Sequence, residues 1–205
     1  MTPDSIDNDV RKLIKLIGTN TEPLNIDVTP EPYAQIIECF PAVEEKIKKD
    51  GGSQALGWQI WKTEILVEAE FHAVWKSPEG VLKDITPKQI RIPKILFLPD
   101  PRAKYNGTQV DNVRLNITQN RLVDDFIELS KAIFRMENKG SRAFEYKLTF
   151  NGQEARLYEA LKQMKVGLYF MITQRANRNS PCFCDSGTKY KHCHGNKLNK
   201  TLSRI

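Results

Sequence analysis

The sequence predicts an α+β fold, in which helices flank a mostly antiparallel sheet. Residues 56–86 are rich in Trp, Ile, Val and Phe and are divided by a turn at 77–80, the pattern of an antiparallel hairpin. Apolar residues recur with helical spacing before this region, in residues 4–17, and after it, in residues 122–135. A hydrophobic content of 40% with 27% charged residues is typical of a globular chain, and its 205 residues are enough for a sizeable core.

The first third of the chain predicts two helices. Residues 4–17 carry an apolar residue every three or four positions, with Asp4 or Ser5 as the N-cap. Residues 33–49 are helical again, although Pro41 divides them, and the glycine pair that follows ends the helix. The stretch between the two helices contains several prolines and reads as a loop.

The remaining elements complete a body and a tail. Residues 92–98 predict another strand, 146–150 a short strand and 153–172 a final helix. Residues 173–181 are polar and lack apolar periodicity, which is typical of a linker. The predicted organisation is therefore a body over 1–172, this linker, and a tail over 182–205.

Charge is concentrated in the tail. Residues 175–205 contain seven of the 31 basic residues and one of the 25 acids, which leaves 24 of each sign in residues 1–174. A basic tail on a neutral body suits an acidic partner, such as an acidic protein face, RNA or a ribosome. The alternative is that the lysines only keep the tail soluble.

The chain shows no signal peptide and no apolar run long enough to span a membrane, so we expect a cytoplasmic protein. Thiols stay reduced in that compartment. Three of the four cysteines lie within twelve residues of one another. These cysteines are therefore expected to bind metal or to react, rather than to form disulfides.

The tail offers a metal-binding set in Cys182, Cys184, Cys193 and His194. Three thiolates and an imidazole are the donors that Zn²⁺ prefers in a tetrahedral site. Four protein ligands leave no position for water, which predicts a structural rather than a hydrolytic zinc. His192 is the rival to His194 as the fourth ligand.

This segment resembles the SEC-C motif, the zinc-binding C-terminal tail of the SecA translocation ATPase. The resemblance rests on the Cys-x-Cys-x-Ser-Gly frame, Lys189-Tyr190-Lys191 and Cys193-His194-Gly195. It departs from the motif at Phe183, where Pro is usual, and at Asp185, where Gly is frequent. The resemblance favours His194 as the ligand and implies zinc binding. It also implies docking to an acidic chaperone such as SecB or to a ribosome, without translocase activity.

The body contains a candidate nucleophile in Cys39. Pro41 favours the first turn of a helix, which puts Cys39 at or beside the helix N-terminus. The positive end of a helix favours a thiolate. A histidine would have to act as the base, and the body has one, His72.

Asp84 is the candidate partner of His72. The turn Ser77-Pro78-Glu79-Gly80 fits a three-residue hairpin loop with Gly80 in the left-handed conformation. That register sets Ser77 against Val81 and makes His72 and Asp84 diagonal neighbours on one face. A two-residue loop would put them on opposite faces.

The order of Cys39, His72 and Asp84 is similar to that of papain-like NlpC-type peptidases and transglutaminase-like proteins. The resemblance implies a cysteine hydrolase or acyltransferase acting on amide or peptide bonds, with Cys39 as nucleophile, His72 as base and Asp84 as its orienter. The alternative is a non-enzymatic adaptor that docks through its tail. Cys39 would then be a small buried hydrophobe and His72 would be satisfied by a glutamate.

Overall fold

The computed structural model describes residues 1–3, 5–145 and 148–202. It confirms an α+β chain of helices and antiparallel strands. The helices are α1 (Asn8–Ile17), α2 (Cys39–Asp50), α3 (Arg121–Glu137), α4 (Gly152–Thr173) and α5 (His194–Leu202). The strands are β1 (Leu24–Asp27), β2 (Ser53–Lys62), β3 (Leu66–Lys76), β4 (Leu82–Lys83), β5 (Lys94–Pro99) and β6 (Val113–Asn116). Within the described residues, no helix is long and apolar enough to cross a membrane.

The chain forms two compact units. The first comprises residues 1–106 and 112–115, and the second comprises residues 107–111 and 116–205. The first contains α1, α2 and the strands, and the second contains the other helices and the tail.

Helix α1 begins later than the sequence predicts. Its N-cap is Asp7, whose side chain accepts hydrogen bonds from the amides of Asp9 and Val10. Ser5 is therefore not the cap, and Asp4 lies outside the described residues. The helix ends at Gly18, whose φ of 77° suits a residue without a Cβ.

The sheet has the strand order β1-β5-β2-β3-β4, and β6 also pairs with β3. The long hairpin of β2 and β3 forms its centre and places Gly57 directly opposite His72. The β3–β4 hairpin has the predicted register, because the Ser77 amide donates to the Val81 carbonyl and Gly80 has a φ of 89°.

A bridge between Val28 and Asp84 joins the β1 side of the sheet to the β4 side. The Asp84 amide donates to the Asp27 carbonyl, and the Thr29 amide donates to the Asp84 carbonyl. The sheet therefore curls towards a closed barrel. One buried cluster of this sheet consists of Ile26, Val74, Ile95 and Phe97.

Helix α2 begins at Cys39, as the position of Pro41 predicts, and Gly51 ends it. It packs against β3. The buried cluster at this contact contains Cys39, Ala42, Val43, Ala73, Trp75 and Ile85. The residues before Cys39 are not helical, so the predicted start at residue 33 is too early.

The second unit packs α3 against α4 and α5. The predicted helices over 122–135 and 153–172 correspond to α3 and α4. Of the predicted strand over 146–150, Tyr146 and Lys147 lie outside the described residues, and residues 148–150 are not in a strand.

The stretch predicted as a linker, residues 173–181, lies within the second unit. Asn120 Nδ2 donates a 2.7 Å hydrogen bond to the Ala176 carbonyl, and Arg178 Nε lies 3.4 Å from Asp125 Oδ2. Polar side chains of α3 and its cap thus hold a segment that has no apolar pattern of its own. The division into an independently folding body and tail remains a prediction.

Candidate metal centre and candidate cysteine site

The tail brings together the four side chains that the sequence singles out. One ligand atom from each of Cys182, Cys184, Cys193 and His194 lies within 4.8 Å of all the others. Cys182 Sγ is 3.2 Å from His194 Nδ1, and Cys184 Sγ is 3.5 Å from Cys193 Sγ. The edge of a tetrahedron with Zn–S bonds of about 2.3 Å is about 3.8 Å. The set could therefore hold one metal ion. His192 is not part of it.

Short turns position these ligands. The Cys182 amide donates to the Thr188 carbonyl, and Pro181 forms a bridge with Lys189, so that the loop closes on itself. Cys193 ends a short 3-10 helix, and His194 begins α5. Two adjacent ligands thus come from the junction of two helical segments.

The surroundings favour the metal-binding forms of His194 and Cys184, whereas burial raises the pKa of Cys182. Burial lowers the pKa of His194, which keeps its imidazole neutral at physiological pH. A hydrogen bond from Ser186 is the main cause that lowers the pKa of Cys184 to about 7. A thiolate and a neutral imidazole are the species that coordinate a metal.

The two departures from the SEC-C pattern have structural reasons. The Phe183 ring lies beside His194, with ring centroids 4.4 Å apart and planes tilted by 39°. A Cβ added to Gly167 of α4 would lie 2.5 Å from the Phe183 ring. The Phe183 ring therefore packs directly against Gly167, in the space that a side chain would occupy there. Asp185 has a φ of 53°, which explains why Gly is frequent at this position.

Tyr190 anchors the tail to α3. Its side chain is fully buried, and burial followed by the charge of Asp125 raises its pKa far above the ordinary value. Arg178 lies on the same carboxylate. A Cβ added to Gly195 would lie 2.9 Å from the Tyr190 ring, so the first turn of α5 approaches the tyrosine closely.

In the first unit, His72 and Asp84 meet as the hairpin register predicts. His72 Nε2 lies 3.1 Å from Asp84 Oδ2. Both side chains are almost entirely buried, at 5% and 0% exposure. A glutamate partner for His72, the alternative left open by the sequence, is not present among these contacts.

Cys39 lies at the N-terminus of α2, near enough to this pair to affect it. It is buried, at 5% exposure, and its charge is one cause of the raised pKa of His72. The structure thus brings His72 and Asp84 into direct contact and places Cys39, in the cluster between α2 and β3, in their electrostatic surroundings. Their catalytic roles stay a prediction.

His72 and Asp84 each stabilise the charged form of the other. Burial lowers the pKa of His72, but the charge of Cys39 and the hydrogen bond with Asp84 outweigh it and raise the pKa to about 9. Burial raises the pKa of Asp84, but the hydrogen bond and charge of His72, with the charge of Lys88, lower it to about 2. At neutral pH the pair therefore favours an imidazolium and a carboxylate.

Sequence reasoning missed two further members of the cluster, Lys88 and Gln59. Lys88 Nζ lies 2.6 Å from Asp84 Oδ2 and donates to Gln59 Oε1 at 2.9 Å. Gln59 is 1% exposed, and its Nε2 has no partner within the described residues. The available signal for Gln59 was a polar residue inside the apolar run Trp58-Gln59-Ile60-Trp61, whereas Lys88 follows a strand with no pattern to mark it.

A cavity of about 820 Å³ borders this cluster. Residues from 27–30 and 87–93 line it, and Lys88 is among them. Its walls are largely apolar, with Arg91 as a cation. The volume lies in the range of small-molecule sites.

Comparison with known proteins assigns the tail. Residues 178–196 match the SEC-C motif, and the four clustered ligands fall within that range. No solved structure matches the chain. The resemblance of the body to papain-like proteins therefore has no support from known folds.

Proposed function

We propose that the first unit is a cysteine hydrolase or acyltransferase that acts on amide or peptide bonds. The observation that carries the proposal is the buried contact of His72 with Asp84, together with the effect of the buried Cys39 on the pKa of His72. A thiol, an imidazole and a carboxylate that orients it form the minimal set for nucleophilic acyl transfer.

The residues have complementary roles in this reaction. In the reactive state the proton of Cys39 resides on His72, in line with the raised pKa of the imidazole, and the thiolate attacks the carbonyl carbon of the substrate. The C–N bond breaks, His72 gives the proton to the leaving amine, and a thioester forms on Cys39. Water or a second amine then attacks the thioester and releases the thiol. Asp84 keeps the imidazole oriented through Nε2, which leaves Nδ1 for the proton exchange with Cys39.

The test is the reactivity of Cys39 in the full, metal-loaded chain. We expect iodoacetamide to label Cys39 near pH 7 and His72→Ala to slow this labelling by about tenfold or more, because the base is lost. Mass spectrometry of the Cys39 peptide separates this signal from the tail cysteines. Slow labelling that ignores His72→Ala would remove the enzyme proposal.

The ion that suits the tail is zinc. Three thiolates and one imidazole in a closed set form a structural zinc site, and SEC-C motifs bind zinc in general. Elemental analysis of the purified chain should find one zinc per chain, and Cys193→Ser should reduce that content. A purified chain without stoichiometric metal would contradict this assignment.

A second function is favoured by the charge of the tail. Lys189, Lys191, Lys197 and Lys200 are exposed around the candidate metal centre. In a cytoplasmic setting this surface would dock the chain to an acidic chaperone or to a ribosome, or to another nucleic acid. The chain would then be an adaptor, with or without the cysteine chemistry.

Salt dependence tests the docking role. Sedimentation of the full chain with ribosomes, and pull-down with an acidic chaperone, should show binding at low salt that weakens at high salt. Lys189→Glu with Lys191→Glu should weaken it further, and the matched control is Lys12→Glu with Lys15→Glu on α1. Binding that ignores both salt and the tail charges would count against docking.

A further inference from the structure

Lys88 is a charged residue that the proposed reaction does not use. Its side chain is 10% exposed, and its ammonium contacts Asp84, Gln59 and, at 3.4 Å, His72 Nε2. Removing an ammonium from water costs free energy unless other groups compensate for it. The position of the Lys88 ammonium between the Asp84 carboxylate and the His72 imidazole therefore suggests a role in the chemistry of the cluster.

The charges in the cluster balance in pairs. The titratable groups that act on the pKa of His72 are Cys39 from α2 and, from the chain after β4, Asp84 and Lys88, of which the last two contact its ring. Gln59 from β2 is neutral. With the carboxylate of Asp84 and the ammonium of Lys88 both present, the cluster is neutral whether the proton lies on Cys39 or on His72.

Removal of Lys88 would upset this balance. Asp84 alone would hold a proton on His72, and a thiolate at Cys39 would then add an uncompensated negative charge to a buried site. The contacts agree with this reasoning, because the charge of Lys88 lowers the pKa of His72 and so opposes Cys39 and Asp84.

We propose that Lys88 is a positioning residue, which anchors Asp84 and balances its charge so that Cys39 can pass its proton to His72 within the buried cluster. This inference rests on the proposed cysteine chemistry. Gln59 Oε1 holds the ammonium from the other side and fixes its place between Asp84 and His72.

Three variants of the zinc-loaded full chain test the role of Lys88. We expect Lys88→Met to slow the labelling of Cys39 at pH 7 by about tenfold, the effect of roughly one pKa unit. Lys88→Arg keeps the charge and should stay within about threefold of the native rate. The double variant Lys88→Met with Asp84→Asn removes both charges, and the side-chain amide introduced by Asp84→Asn can still orient His72. It should therefore recover most of the rate that Lys88→Met loses.

A second readout is the titration of His72, followed by NMR of the imidazole. In Lys88→Met it should move to higher pH, whereas a purely structural role of Lys88 would leave it in place. The inference would be overturned if Lys88→Met labelled Cys39 at the native rate and left the His72 titration unchanged. It would also be overturned if the double variant labelled Cys39 as slowly as Lys88→Met does. The proposed enzyme function fails by a different result, namely slow labelling of Cys39 in the native chain that His72→Ala does not change.

Discussion

The pKa of His72 is determined by the groups that surround it. An imidazole at 4% exposure would normally be neutral, yet its contacts with Cys39 and Asp84 raise its pKa to about 9. Its charged form is therefore stabilised by folding, and the stability of the first unit becomes linked to pH.

This linkage predicts a loss of stability in alkali. The folded pKa of His72 lies above the ordinary value of 6.5, so its contribution is complete below pH 6.5 and disappears as the pH rises towards 9. The free energy of unfolding should fall by up to about 3 kcal/mol over this range. Denaturant titration of the zinc-loaded chain measures it. His72→Gln should remove this part of the pH dependence and Cys39→Ala should reduce it. An equal fall in His72→Gln would contradict the linkage.

Residues with a covalent or geometric requirement were predictable from the sequence. Cysteine and histidine at metal spacing identify the tail, and Pro41 locates Cys39 at a helix start. Lys88 was not predictable, since its importance comes from what the curled sheet places around it. The long side chain carries no information about where its ammonium will lie.

At the scale of elements, the β3–β4 hairpin positions the cluster. Its three-residue loop places Asp84 on the face of His72, since side chains alternate along a strand. The turn residues specify this register, which is why it could be read from sequence.

Deletion of Glu79 should therefore separate the two residues. A two-residue loop shifts the register by one position and turns Asp84 to the opposite face of the sheet. We expect the labelling of Cys39 to slow by about tenfold or more, because His72 loses its orienting carboxylate. Gly80→Asn is the control, since Asn tolerates the φ of 89° and keeps the loop length. Native reactivity in the deletion variant would refute the role of the register.

Other elements could not be predicted. The four residues of β6 alternate between apolar and polar, but the run is too short to mark a strand, and its pairing with β3 depends on tertiary context. The chain division around residues 107–116 leaves no pattern in the sequence. The polar stretch at 173–181 resembles a linker because a hydrogen bond from the cap of α3 and an ion pair with α3, rather than apolar burial, hold it.

For the whole molecule, the tail combines a metal centre with the packing of the second unit. Tyr190 and Leu198 are fully buried, and each lies within four residues of a ligand residue in the sequence. Metal binding should thus stabilise more than the tail itself, because it fixes the residues that pack against α3.

Chelation should show this difference between the units. Removing the metal from the full chain should increase amide hydrogen exchange in α3 and α5 and leave β2 and β3 unchanged. The experiment compares the metal-loaded chain, the chelated chain and Cys182→Ser. Exchange that increases equally in β2 and β3, or nowhere, would contradict a stabilising role confined to the second unit.

The bridge between Val28 and Asp84 has a consequence for biosynthesis. Backbone hydrogen bonds fix the position of Asp84 against residues 27–29, which are translated more than fifty residues before it. In the enzyme that we propose, Cys39 would therefore gain its partners only when both sides of the sheet have met. Its nucleophilicity would then arise at the end of folding and be withheld from incomplete chains.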